Sequence, residues 1–135
     1  MKRILIGTAI IISLTLLVNG CSKKANQDDN KSTLEPNTNQ GVVADKEVDV
    51  FTFKNTSLIW NGNSSDLETV ITNTSDEDAY LKGFTVHVYD EEGNEIATMP
   101  GYVSDHIKAH STRTMSTGHY KNLSNAYKVE YEIIK

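Results

Sequence analysis

The chain is poor in cysteine and in basic residues. Cys21 is its single cysteine, so an intramolecular disulfide framework and a multi-cysteine metal site are both excluded. There are 13 Lys+Arg against 18 Asp+Glu, which gives a net charge of −5. A nucleic-acid-binding protein needs a basic face, so nucleic acid is not an expected partner. Two prolines, ten aromatic residues (one Trp, six Tyr and three Phe) and the absence of long Leu/Ala-rich runs argue against a helical bundle.

The usual signatures of catalysis are also missing. The sequence has no Gly-x-Ser-x-Gly elbow, no Walker phosphate loop and no Gly-x-Gly-x-x-Gly motif. A nucleophilic enzyme needs a serine or cysteine beside a base and an orienting acid, and no such pattern stands out. We therefore predict no enzyme, no catalytic residue and no cofactor.

Residues 1–20 have the layout of a secretory signal. Lys2 and Arg3 precede an apolar run from Ile4 to Val18, which is shorter than the roughly 20 residues of a membrane-spanning helix. The run ends in Val18-Asn19-Gly20-Cys21, which resembles the lipobox of bacterial lipoproteins. The resemblance implies that Cys21 is lipidated and becomes the first residue of the mature chain, with its acyl chains anchored in the membrane. An ordinary secretory signal followed by a coincidental cysteine is the alternative.

A polar segment follows the cysteine. From residue 22 to 46 the chain is dominated by Asn, Gln, Asp, Lys, Ser and Thr, and its few apolar residues show no period. Such a composition does not bury enough apolar surface to offset the entropy of ordering the chain. We predict that residues 21–46 are the lipidated cysteine and a flexible tether; alternatively, residues 41–46 begin the first strand.

The composition changes near Val48, where short apolar stretches with period-two alternation begin. The clearest is Leu81 to Tyr89, which places Phe84, Val86 and Val88 on one face. Six or seven such strands with turns between them predict an all-β fold, an antiparallel β-sandwich over residues 47–135. We find no convincing helix. The predicted core consists of Phe51, Phe53, Leu67, Ile71, Phe84, Val86, Val88, Ile96, Tyr127, Val129, Tyr131 and Ile133.

Two stretches of this region form a recognisable pattern: Ile71-Thr72-Asn73-Thr74-Ser75, and the stretch from Gly83 to Ile96, which contains Tyr89-Asp90. Together they resemble the FxLYD-type domain of bacterial envelope proteins, and Tyr89-Asp90 matches the family's Tyr-Asp pair. In a later turn, His110 stands where the family usually has glycine. The resemblance implies an immunoglobulin-like sandwich outside the cytoplasm, and it implies almost nothing about chemistry.

Two sets of residues raise the question of a metal. His106 and His110 are four residues apart beside Asp105, with His119 further on, but they lie in a predicted turn, and His87 is on an outward face. Acidic residues at 76–78 and 90–95 flank the Leu81–Tyr89 strand, and a strand of that length separates them by about 30 Å. Calcium needs six to eight converging oxygens, so we predict no metal site.

Surface recognition is the remaining function. Exposed aromatic residues at strand and loop ends often anchor partners, and the candidates are Trp60, Tyr89, Tyr102 and Tyr120. We predict a lipid-anchored extracytoplasmic module of the bacterial cell membrane, with the membrane as one partner and an envelope protein or cell-wall component as another. A small ligand- or metal-binding lipoprotein is the alternative, to be distinguished by whether the histidines or acidic turns converge in space.

Overall fold

The structure is a computed structural model that describes residues 33–135. The predicted signal peptide, Cys21 and the tether up to residue 32 lie outside the described residues. Within residues 33–135 there are eight strands and one short helix, and no helix there is long and apolar enough to cross a bilayer. In chain order these elements are β1 (Glu35–Pro36), α1 (Gln40–Val43), β2 (Lys46–Val48), β3 (Phe51–Trp60), β4 (Ser65–Asn73), β5 (Ala79–Tyr89), β6 (Glu95–Ile107), β7 (Thr112–His119) and β8 (Lys128–Ile134).

The strands form two antiparallel sheets. The first sheet has the order β1-β3-β4-β7, with β2 pairing beside β1 on the same edge of β3, and the second has the order β6-β5-β8. The buried side chains of the two sheets form one hydrophobic core, so the fold is an all-β sandwich, as the alternation of the sequence predicted. Strand β3 runs through ten residues and contains a bulge between Lys54 and Ser57.

Period-two alternation located the core correctly in the central strand of the second sheet. Phe84, Val86 and Val88 of β5 are fully buried, whereas Thr85 and His87 between them are partly exposed. At the centre, the Phe53 ring stacks on Tyr131 with centroids 4.0 Å apart and meets Phe84 edge-on at 5.6 Å. Other predicted core residues that are buried are Phe51, Leu67, Ile71 and Val129, with Ile96 and Ile133 half-buried against them.

The core prediction is wrong at Tyr127, which is 46% exposed. The predicted strand started too early. Strand β8 begins at Lys128, and Tyr127 belongs to the loop before it. The prediction also omitted other buried apolar residues: Val42, Leu58, Leu81, Ala97, Met99, Ile107, Leu123 and Ala126.

The sandwich begins earlier than residue 47, so the predicted extent of the tether is wrong over its last part. Glu35–Pro36 pairs with Trp60 and Ile59, and residues 40–43 form a helical turn rather than a strand. The side-chain amide of buried Asn37 donates to the carbonyls of Leu123 and Ala126, at 3.2 and 2.8 Å. Val42 is fully buried. Hydrogen bonds therefore hold this polar segment where apolar periodicity gave no signal.

Helix α1 lies very close to the start of β8, and glycine permits the approach. A Cβ at Gly41 would lie 2.3 Å from the Tyr127 carbonyl oxygen and 3.2 Å from the Lys128 Cα. Real Cβ atoms do not approach backbone atoms so closely, so any larger residue would push the helix away from the sandwich. Asn39 caps the helix, since its side chain accepts from the Gly41 N–H.

Candidate functional site

The four aromatic residues singled out from the sequence lie in different parts of the sandwich. Trp60 ends β3 and Tyr120 directly follows β7, so these two lie at the same end of the first sheet. Tyr89 and Tyr102 belong to β5 and β6 of the second sheet. Tyr120 is 89% exposed and Tyr102 is 78% exposed, while Trp60 and Tyr89 are partly exposed. The structure therefore does not gather them into one patch.

Strand register places the ends of β3, β4 and β7 side by side around Trp60 and Tyr120. Ser65 pairs with Trp60 on one side and His119 on the other, and Asp66 pairs with Ile59 and Gly118. Residues directly opposite in antiparallel strands point to the same face. Ser65 is fully buried, so the Asp66 row, one residue along, belongs to the outer face of the sheet.

The loop between β3 and β4 fixes the Asp66 carboxylate. Asn61 Oδ1 accepts from the N–H groups of Asn63 and Ser64, which closes the turn. The Asn61 amide nitrogen donates to Asp66 Oδ2 at 2.7 Å, and Ser64 Oγ donates to Asp66 Oδ1 at 3.1 Å. Each carboxylate oxygen thus accepts from at least one nearby donor, which holds its orientation and leaves further lone pairs able to accept.

Buried Ser65 fixes the chain on the other side of the site. Its Oγ donates to the Lys121 carbonyl at 2.8 Å and accepts from the Leu123 N–H at 2.9 Å. These two bonds hold the segment that carries Tyr120. His119 Nδ1 accepts from the Lys121 N–H at 3.0 Å, so the proton of its neutral ring is on Nε2.

These residues surround a shallow pocket of about 280 Å³, which we call the Tyr120 pocket. It is lined by Ser64, Asp66, Gly118, His119 and Tyr120. A second depression of about 420 Å³, the outer groove, lies on the outer face of the first sheet, and its lining includes Leu34, Ser57, Ile59, Asp66, Glu68 and Ser116. Asp66 lines both, so the two depressions are neighbours and share one carboxylate.

The outer face of the second sheet carries a different arrangement, centred on His87. Its Nδ1 lies 2.6 Å from Glu95 Oε2 and its Nε2 lies 3.1 Å from Glu132 Oε2. The hydrogen bond with Glu95, followed by that with Glu132, raises the pKa of His87 above its usual value, although partial desolvation opposes the shift. Beside it, the Lys128 ammonium lies 4.7 Å from the centroid of the Tyr89 ring. Tyr89 therefore contributes to a network of paired charges.

The histidines do not converge. His106 packs against the Tyr80 ring at 5.1 Å, His110 Nε2 lies 2.8 Å from Asp76 Oδ1, and both nitrogens of His87 face separate carboxylates. The acidic residues at 76–78 and 90–95 flank opposite ends of β5. Within residues 33–135 no three His, Cys, Asp or Glu side chains form a group suited to a metal ion.

No protein-family model matches the chain, and searches of curated proteins and of solved structures gave no significant match.

Sequence reasoning pointed to Trp60 and Tyr120, but it missed Asp66 and Gly118. It considered His119 only as a metal ligand. Asp66, Gly118 and His119 are brought together by the pairing of β4 with β7, which are separated by two other strands in the chain. The one local signal was the Asn-Gly-Asn-Ser-Ser-Asp run at 61–66, in which closely spaced polar side chains favour a hydrogen-bonded turn.

Proposed function

We propose that this protein is a bacterial lipoprotein whose β-sandwich is held at the extracytoplasmic face of the cell membrane and binds a component of the cell envelope. The observation that carries the proposal is the position of Cys21. The only cysteine of the chain directly follows an apolar segment and precedes a packed domain whose secondary structure starts at Glu35. An anchor at this position leaves the whole sandwich outside the lipid.

The early start of the domain limits how far it extends from the membrane. Only residues 22–34 separate Cys21 from Glu35, which pairs with Trp60 in the first sheet. At about 3.3–3.6 Å per residue, that segment spans at most about 50 Å when fully extended. The lipid anchor would therefore keep the sandwich near the bilayer, where an envelope component is the accessible partner.

Two structural details support assigning the sandwich to the immunoglobulin-like FxLYD type. Asn73, the last residue of β4, is fully buried, and its side chain bonds to main-chain atoms of Ser75, Glu77 and Ile107. A structural role of this kind accounts for an asparagine that ends the strand. His110, at the position where the family usually has glycine, has a φ of +56°, which is the conformation that favours glycine.

Lipidation is tested by labelling cells that express the protein with a fatty acid and by separating membrane from soluble fractions. We expect label in the wild-type chain and recovery in the membrane fraction. Cys21→Ser should abolish the label and leave either an uncleaved precursor or a released protein, because serine offers no thiol for the thioether. Ser22→Ala, the neighbouring position, is the matched control and should behave as wild type. An unlabelled wild-type protein would overturn the proposal.

A further inference from the structure

We propose that the Tyr120 pocket and the outer groove form a binding site for a neutral polysaccharide chain. This inference rests on the proposed function, because it names the class of envelope component that the sandwich recognises. The site is built from an exposed aromatic ring, a fixed carboxylate, uncharged donors and acceptors, and an adjoining groove. Each of these features matches one property of a linked series of sugar rings.

The polar groups of the Tyr120 pocket suit hydroxyls. A sugar hydroxyl both donates and accepts, so its ideal partners are an acceptor and a donor side by side. The Asp66 carboxylate accepts, with one donor already on each oxygen to hold it in place. His119 also lines the pocket, but it lies opposite buried Ser65, so its ring belongs to the inner face and does not lie beside Asp66. The Tyr120 hydroxyl can donate or accept, so the pocket offers both roles without a lysine or arginine side chain.

The Tyr120 ring suits the apolar face of a sugar. It is 89% exposed and packs into no core, yet the backbone beside it is fixed through Ser65. An exposed aromatic ring at a defined position offers a flat apolar surface with little loss of side-chain entropy on binding. The C–H groups on one face of a pyranose present such a surface, while its hydroxyls project from the rim.

Gly118 keeps the space between the ring and the carboxylate open. It lies directly opposite Asp66 in the register of β4 and β7, and a Cβ there would stand 3.1 Å from Asp66 Oδ1. Any other residue at this position would crowd the carboxylate oxygen that the pocket presents.

The charge of the lining favours a neutral ligand over an anionic one. No lysine or arginine lines either depression among the described residues, whereas Asp66 and Glu68 are both acidic. An anionic polymer would meet two carboxylates without a compensating cation. A cationic peptide is the alternative ligand, and tetralysine represents it in the titration.

The two depressions suit a chain rather than a single sugar. They share Asp66 and lead from the Tyr120 pocket onto the outer face, where Ser57 and Ser116 provide hydroxyls and Ile59 and Leu34 provide apolar contact. A linear oligosaccharide would thus place one ring on Tyr120 and the next along the strands.

The test uses the full-length protein purified in detergent micelles and titrated with chitotetraose, cellotetraose or tetralysine. Binding is followed by the fluorescence of Trp60, the only tryptophan, which ends β3 beside the site. We expect saturable binding of at least one tetrasaccharide below about 10 mM, the range of weak single-site recognition. The affinity should be unchanged between about 50 and 500 mM salt, because a neutral ligand forms no screened ion pairs.

Matched tyrosine variants locate the site. Tyr120→Ala should weaken saccharide binding by at least about fivefold, as expected for loss of an aromatic anchor. Tyr102→Ala removes a similarly exposed tyrosine from β6 and should leave the affinity unchanged. Both side chains are largely exposed, so neither change should unfold the protein. Asp66→Asn, which keeps the size but removes the charge, should weaken binding less than Tyr120→Ala.

Three outcomes would overturn the inference. The first is no binding of either tetrasaccharide. The second is an equal loss in the two tyrosine variants. The third is salt-sensitive binding of tetralysine alone, which would assign the site to a cationic partner. None of these results bears on fatty-acid labelling of Cys21, so failure of the saccharide site is distinguishable from failure of the proposed anchor.

Discussion

The side-chain amide of Asn73 donates a hydrogen bond of 2.9 Å to the main-chain carbonyl of Ile107, 34 residues further along the chain. The same nitrogen donates to the Glu77 carbonyl at 2.7 Å, and Oδ1 accepts from the Ser75 N–H at 3.0 Å. One buried side chain thus ties the turn after β4 to the end of β6. It links the two sheets at the end of the sandwich opposite the Tyr120 pocket.

Asn73→Ala should be strongly destabilising. It leaves buried carbonyls without a donor, and each unsatisfied buried group costs about 1–3 kcal/mol, so we expect a loss of roughly 2–4 kcal/mol. The measurement is urea unfolding followed by circular dichroism. Thr72→Ala, the neighbouring position on the opposite face of β4, should change the free energy of unfolding by less than about 0.5 kcal/mol. Equal losses in the two variants would contradict the role assigned to Asn73.

The ordered N-terminal segment should contribute to stability. A chain starting at residue 33 keeps the Asn37 bonds and the buried Val42, whereas one starting at residue 47 loses both. Burial of a valine alone is worth about 1.5–3 kcal/mol, so the shorter chain should unfold at a clearly lower temperature. Gly41→Ala in the full chain should reproduce part of this loss through the clash with the Tyr127 carbonyl. Identical unfolding temperatures for the two truncations would show that residues 33–46 add nothing.

His110→Gly should be neutral or stabilising by up to about 1 kcal/mol, since histidine at a φ of +56° bears the steric strain that glycine avoids. The contact of His110 with Asp76 is between exposed side chains, so its loss should matter little. His106→Gly, within β6, is the control and should destabilise the protein because glycine weakens a strand. Thermal unfolding distinguishes the two, and a large loss for His110→Gly would contradict the strain argument.

Stability should fall as the pH rises through the pKa of His87. Hydrogen bonds with Glu95 and Glu132 raise that pKa in the folded state, and Glu130 lies directly opposite on β8. The charged form is favoured by folding, so its contribution is complete below the unfolded value near 6.5 and is lost above the raised folded value. Unfolding of the wild type and of His87→Gln should be compared from pH 5 to 9. The free energy of unfolding of the wild type, relative to that of His87→Gln, should fall as the pH rises. An increase with pH would contradict the role assigned to His87.

The alternation of apolar residues predicted the buried side chains correctly in strands that have one buried face and one exposed face. It located Phe84, Val86 and Val88 on β5 and Val129 and Tyr131 on β8, because period two follows directly from strand geometry. It failed over residues 35–46. There Asn37 acts through its side-chain amide, and Val42 is fully buried with the adjacent Val43 packed against the core, and neither feature produces a period.

The candidate site was harder to predict from the sequence than the fold was. Tyr120 and Trp60 were suggested by residue type, but Asp66, Gly118 and His119 meet only through the pairing of β4 with β7. Pairing between strands that are far apart in the chain leaves no recognisable residue pattern in the sequence of either strand. Tyr89, chosen on the same grounds as Tyr120, is instead engaged with Lys128 on a face of paired charges.

The central claim is that Cys21 anchors the sandwich to the membrane, and intact mass spectrometry of the protein purified from bacterial membranes tests it most directly. We expect a mature chain that begins at Cys21 and carries the added mass of a diacylglyceryl group on its sulfur. A chain that begins at another residue, or one that begins at Cys21 with an unmodified thiol, would contradict it.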